Sequence, residues 1–302
     1  MTDSMRRDLE HLPEAARAEL REVVRIVFGE FEDALAGRNA PHRKAGRILK
    51  IILFGSYARG DWVADPIGRY FSDFDILVVV NHDELVDGEY WSLAEDRLVR
   101  EHDAGDSVIT PVNLIVHSLA DVDRQLKRGR PFFIDIVRDG IALYEAPDHP
   151  FVRAKPLSKQ AANEEAQQFA DEWLPSAGNF LKLATGARDE GMMKEAAFLL
   201  HQAAERFYHC TLLVLTLYSP KSHKLNFLRS QAERLAPGLI AAWPRETRVQ
   251  QRCFELVRRA YVDARYSPHY QITVTELDWL IERVGVLQNL VDTACKERLA
   301  DF

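Results

Sequence analysis

Two short apolar runs and the polar residues between them set the strongest constraint on what this chain can fold into. Ile51-Ile52-Leu53-Phe54 is β-favouring and leads straight into Gly55-Ser56, and Ile76 to Val80 follows directly on Asp73-Phe74-Asp75. Short apolar runs bounded by turn signals predict buried strands. Gly55-Ser56 breaks the first strand at a tight turn. Ala58 and Arg59 then suit the first turn of a helix, whose free N–H groups can receive a phosphate. Asp73 and Asp75 stand two apart at the start of the next strand, so both carboxylates emerge on one face while Phe74 points into the core. Two carboxylates so close repel by several kcal/mol at an intermediate dielectric. They therefore call for a cation, and hard divalent ions such as Mg²⁺ (or Mn²⁺) suit oxygen ligands. A phosphate cradle beside such a pair is a layout for handling a nucleoside triphosphate.

Other helices alternate with strands around this stretch. Helical spacing is predicted over Ser4–Leu35, with a break near Pro13, and over Tyr90–His102, Leu119–Arg128 and Phe132–Asp139. Gly37 to Ala45 reads as a loop, the segment around Asn113 as a strand, and Ile141–Tyr144 as a closing strand. The class is α/β with a mixed sheet up to about Glu145. Ala146-Pro147-Asp148-His149-Pro150 reads as a linker, which divides the chain into residues 1–146 and 151–302. Strand signals then stop. Helices are predicted over Leu157–Thr185 (bent at Pro175), Glu190–Leu217, Leu225–Leu235, Arg245–Val262 and Thr275–Leu299, an antiparallel all-α bundle. Ala196, Leu200, Ala203, Phe207, Cys210 and Val214 make one apolar stripe and are candidate core.

At Gly55-Ser56-Tyr57-Ala58-Arg59-Gly60 and Asp73-Phe74-Asp75 the chain resembles the polymerase-β-type nucleotidyltransferases, in their minimal bacterial branch. The resemblance implies transfer of a nucleotidyl group, most commonly AMP from ATP, onto a hydroxyl of a protein, an RNA or a small molecule. It implies nucleotide binding by Gly55, Ser56, Arg59 and Asp73, and metal binding by Asp73 and Asp75. Two features depart from that family's pattern. The segment Asp61–Phe71, with Trp62, Pro66 and Gly68, is longer than usual and reads as a flap. Asn113 stands where the family places a third carboxylate, and a neutral amide offers an oxygen to a metal but cannot serve as a base. Catalytic residues are thus Asp73, Asp75 and Asn113, with two readings open: a working enzyme that tolerates the amide, or an impaired nucleotide-binding sensor.

The helical half resembles the HEPN family at Ala197–Glu205, at Pro220-Lys221-Ser222-His223-Lys224-Leu225 and at Ala264–Tyr270. That resemblance implies a homodimer and a metal-independent action on RNA by an Arg/His pair, for which Arg265 and His269 are the nearest match. Only three residues separate them, and Pro268 is one of these, so they are not presented on a regular helix. A toxin–antitoxin-like fusion is the alternative function. His201, Glu205 and His209 share a helix face, where chelation competes with the commoner reading of a solvated polar side.

Composition adds exclusions. Among 302 residues, 47% are hydrophobic and 28% charged, ordinary for a globular chain, and the net charge of −7 gives no global basic field to hold nucleic acid. No apolar run reaches membrane-spanning length, the N-terminus has no signal-peptide pattern, and Cys210, Cys253 and Cys295 are too widely spaced for zinc, so reduced thiols in a cytoplasmic protein are expected.

Overall fold

The computed structural model describes residues 5–36, 40–65 and 70–300, with side chains described outside 64–71. The chain divides into two compact units, residues 1–156 and 157–302.

The first unit begins with an irregular segment, Met5 to Pro13, where helix was predicted from Ser4; Ser4 itself lies outside the described residues. Helix α1 starts after Pro13 and runs Glu14–Leu35. Pro13 supplies the extended geometry that precedes a helix start, so the predicted break becomes the boundary. A single turn, α2 (Pro41–Lys44), interrupts the stretch read as loop, whose residues 37–39 lie outside those described. Strand β1 (Ile48–Phe54) runs into α3 (Gly55–Arg59), a helix of one turn. A two-residue hairpin, β2 (Ala64–Asp65) against β3 (Tyr70–Phe71), occupies the long segment before the Asp pair. Pro66 and Gly68 of that proposed flap lie outside the described residues. Then come β4 (Phe74–Val80), α4 (Ser92–Ala104), β5 (Val112–Ser118), α5 (Leu119–Lys127), α6 (Pro131–Asp139) and β6 (Ile141–Glu145).

The four long strands form a mixed sheet in the order β5-β4-β1-β6. β4 is antiparallel to β1 and parallel to β5, and β6 is antiparallel to β1. Every residue of β1 and β4 is buried, as continuous apolar runs in central strands require. Leu20, Val23, Val27 and Phe31 recur at helical spacing on α1 and join Ile51, Leu53, Ile76 and Val78 in one core. Lys50 is the polar exception in β1; its ammonium pairs with Glu145 Oε1 at 2.5 Å, and Glu145 also takes Arg7 at 2.6 Å.

The second unit holds α7 (Lys159–Asp189), α8 (Met193–Thr216), α9 (Leu225–Leu235), α10 (Arg248–Tyr266) and α11 (Val274–Ala300). Pro175 lies inside α7, which is continuous through it. Ala166, Ala170, Ala177 and Ala184 on α7 are small enough to let α8 come close. The predicted stripe on α8 is wholly buried. Trp243 donates its indole N–H to the buried Tyr208 hydroxyl at 2.7 Å. The three cysteines are free and buried.

Candidate nucleotide site

The register across the sheet assembles the first site. Phe54, the last residue of β1, pairs with Asp75 on β4, and Asp75 pairs in turn with Asn113 on β5. The Gly55-Ser56 turn therefore leaves the sheet beside the Asp pair. Gly55 has φ +76°, a left-handed conformation that glycine adopts without a Cβ penalty. α3 ends at Gly60, with φ +85°, and the Gly60 and Asp61 N–H groups both fold back onto the Ser56 carbonyl at 2.9 and 3.1 Å. Phe74 points inward, as its place between two aspartates predicts, and meets the Tyr57 ring edge-on at 4.5 Å.

Asp73 and Asp75 share one hydrogen-bond donor. The Asn113 amide donates Nδ2–H to Asp73 Oδ2 at 3.0 Å and to Asp75 Oδ1 at 3.4 Å, so both carboxylates face the same amide nitrogen. Asp75 is 3% exposed and Asn113 9%. Burial pushes the Asp73 carboxyl up to about 6; the Asn113 hydrogen bond opposes this and the Asp75 charge adds to it. Two desolvated, mutually repelling carboxylates that share one N–H donor fit a hard divalent cation bound beside them. Among the described residues no three His, Cys, Asp or Glu side chains are grouped as a metal ion requires, so the ligands here are the two carboxylates, with the Asn113 N–H turned toward them. Arg59 is turned to Asp61, with Nη2 3.1 Å from Oδ1.

Supporting residues lie far off in sequence. Glu19 of α1 accepts the Ile109 and Thr110 N–H groups at 3.0 and 2.7 Å, just before the strand that carries Asn113. The Phe74 N–H is held by the Pro111 carbonyl at 2.8 Å. Ser72 exchanges two hydrogen bonds with the Val63 backbone, both 2.9 Å. Trp62 stacks flat on Tyr57 at 5.4 Å. Glu19 gave no signal in the sequence beyond a carboxylate on the apolar face of a helix.

The helical unit treats its predicted residues differently. Arg265 donates Nε–H to the Tyr261 carbonyl at 2.6 Å, and its guanidinium lies over the rings of Tyr261, Phe198 and Tyr266. His269 lies past the end of α10, with its backbone N–H on Ser267 Oγ. The polar face of α8 is organised around Glu205, whose carboxylate takes His223 Nδ1 at 3.0 Å and lies 3.3 Å from His201 Nε2. Burial pushes Glu205 up, but the His201 and His223 rings beside it outweigh this and hold the carboxyl below its usual range. His201 Nδ1 donates to the Val257 carbonyl at 2.9 Å and His209 Nδ1 meets Ser219 Oγ at 2.6 Å, so these rings are tied into the bundle.

A nucleotidyltransferase domain model matches residues 39–138, and a HEPN domain model matches residues 170–294. The chain joins a nucleotidyltransferase domain to a HEPN domain. Over 44 residues it is 54% identical to a protein of Methanocaldococcus jannaschii named "Putative protein adenylyltransferase". That match takes in 14% of this chain and 38% of that protein, so the chain spans well under half the length of the curated relative. The nucleotidyltransferase match covers the turn, the Asp pair and Asn113, and the HEPN match covers Glu205, His223, Arg265 and His269. Among the described residues no helix is long and apolar enough to cross a membrane.

Proposed function

We propose that the nucleotidyltransferase domain transfers AMP from ATP to a hydroxyl, with Mg²⁺ as the cation. The observation that carries this reading is the pairing of Asp73 and Asp75 on one shared donor, with Asp75 in register with Phe54 just before the Gly55-Ser56 turn. Ser56 and the backbone N–H groups of that turn hold the triphosphate, and Arg59 swings from Asp61 to the phosphates. A bound divalent cation supplies the positive charge that lets triphosphate and carboxylates share the site. The acceptor oxygen attacks the α-phosphorus, the bond to the β-phosphate oxygen breaks, and pyrophosphate leaves. The hydroxyl proton passes to solvent, because Asn113 cannot take it.

That last point bears on the acceptor. Without a base at Asn113, an acceptor that ionises readily is favoured, and a phenol with a pKa near 10 loses its proton far more easily than an aliphatic alcohol. A tyrosine on a protein therefore suits the site best, in keeping with a relative named for protein adenylylation. Incubation with labelled ATP and Mg²⁺ tests the reading, wild type against Asp73→Ala/Asp75→Ala. Label on protein that disappears in the double variant supports it. The amide favours a second reading, a nucleotide sensor without turnover, which predicts ATP binding and no transfer. Absence of both binding and transfer refutes the two together. RNA degradation that survives the double variant and is lost in His269→Ala would instead point to the HEPN domain as an RNA-acting module.

A further inference from the structure

The residues before position 39 lie outside the matched nucleotidyltransferase segment, yet they reach its phosphate-binding turn. α3 is one turn long, and the chain turns back at Gly60, so the Tyr57 and Ala58 carbonyls fall outside any helical ladder. Two side chains of the irregular N-terminal segment supply the donors. His11 Nε2 lies 2.8 Å from the Tyr57 carbonyl, and Arg6 Nη1 lies 3.3 Å from the Ala58 carbonyl. Arg6 Nη2 is 3.0 Å from His11 Nδ1, and Arg6 Nε binds Asp8 Oδ2 at 3.1 Å. A carbonyl accepts and a guanidinium donates, so His11 carries its proton on Nε2 and offers the Nδ1 lone pair to Arg6. The hydrogen bonds run in one direction, from Arg6 through His11 to Tyr57.

The segment is itself fixed to the sheet. Arg6 bridges to Ile141 at the start of β6, and the Ala142 N–H donates to the Arg6 carbonyl at 2.8 Å. The His11 ring also meets the edge of Trp62 at 6.3 Å, and Trp62 covers Tyr57. A cation and two donors at the carbonyl end of so short a turn hold it in place.

We infer that Arg6 and His11 are positioning residues for the nucleotide: by gripping the Tyr57 and Ala58 carbonyls they fix the Gly55-Ser56 turn against the Asp pair. The inference rests on the nucleotidyl-transfer reading. It assigns to a segment outside the matched domain a share in triphosphate affinity.

The test measures binding of a fluorescent ATP analogue with Mg²⁺, together with KM and kcat for label transfer, on the full chain. His11→Ala removes the donor to Tyr57 and should weaken ATP about tenfold, the loss of one hydrogen bond. The effect should fall on KM with kcat little changed, and the thermal transition should stay close to that of the wild type. His11→Gln, whose amide also donates, should recover most of the affinity. Arg6→Met removes all three guanidinium contacts, to Ala58, His11 and Asp8, and keeps the backbone tie to β6, so it should weaken ATP without loosening the segment. It serves as the second probe should His11→Ala fold poorly. Unchanged ATP affinity in both His11→Ala and Arg6→Met, with a wild type that binds ATP, overturns the inference alone. A loss that His11→Gln does not recover also overturns it. A wild type that binds no ATP overturns the underlying functional reading, and the inference with it.

Discussion

Asn113→Asp would restore a third carboxylate at the sheet edge, and its consequences follow from two distances. The amide donates to Asp73 Oδ2 at 3.0 Å and lies 3.4 Å from Asp75 Oδ1. The substitution removes both donors and places a like charge where they stood. A hydrogen bond to a charged group contributes about 1.5–3 kcal/mol, and the Asp75 contact is long, so the metal-free protein should lose about 3 kcal/mol. For a unit of this size that corresponds to a fall in Tm of roughly 6–12 °C. Crowded carboxyls hold a proton in preference to a further charge, which keeps the loss near that figure. Mg²⁺ should reverse the sign, because three acids grip a hard cation more tightly than two and ligand binding adds to stability by mass action. Thermal unfolding of wild type and variant, with and without MgCl₂, measures both effects. A metal-free variant as stable as the wild type, or an equal Mg²⁺-induced rise in the two proteins, would refute the reasoning. Labelled-ATP transfer in the same variant, faster than in the wild type, would show that the amide limits turnover.

Asp73 makes metal-free stability depend on pH. Burial raises its folded carboxyl to about 6, above an unfolded value near 3.9, so its contribution is fully present below about pH 4 and is lost as pH rises through 6. The loss amounts to roughly 3 kcal/mol, read by urea unfolding across that window, and Asp73→Asn should flatten the profile; a flat wild-type profile would contradict it. Glu19→Ala strands the Ile109 and Thr110 N–H groups beside the Asn113 strand and should cost about 2–4 kcal/mol in chemical unfolding, most of it recovered by Glu19→Gln. Cys210 and Cys253 should resist alkylation in the native protein. A hydrogen bond with Cys295 and then burial push the Cys210 thiol up, and burial does the same to Cys253, so modification seen by mass spectrometry without denaturant would contradict their placement.

Whatever rests on local periodicity and on adjacent residues could be read from the chain before it folds. The apolar runs before Gly55 and after Asp75 become the two central strands, and the stripe from Ala196 to Val214 becomes the core of the bundle. The two-residue spacing of Asp73 and Asp75 puts their carboxylates together because a strand alternates every second side chain. Helix starts were less legible: Met5 to Pro13 has helical spacing but is drawn out by its pairing with β6 and its hydrogen bonds to α3. The tertiary structure alone decided which distant groups close on the site. His11 meets Tyr57 across 46 residues, Arg6 meets Ala58 across 52, and Glu19 meets Ile109 across 90. In the helical unit it gave Arg265 to the aromatic rings of its surroundings and His223 to Glu205, where sequence proximity pairs Arg265 with His269. Such contacts answer unsatisfied carbonyls, N–H groups and buried charge that exist only once the chain has folded, so no periodicity in the sequence announces them.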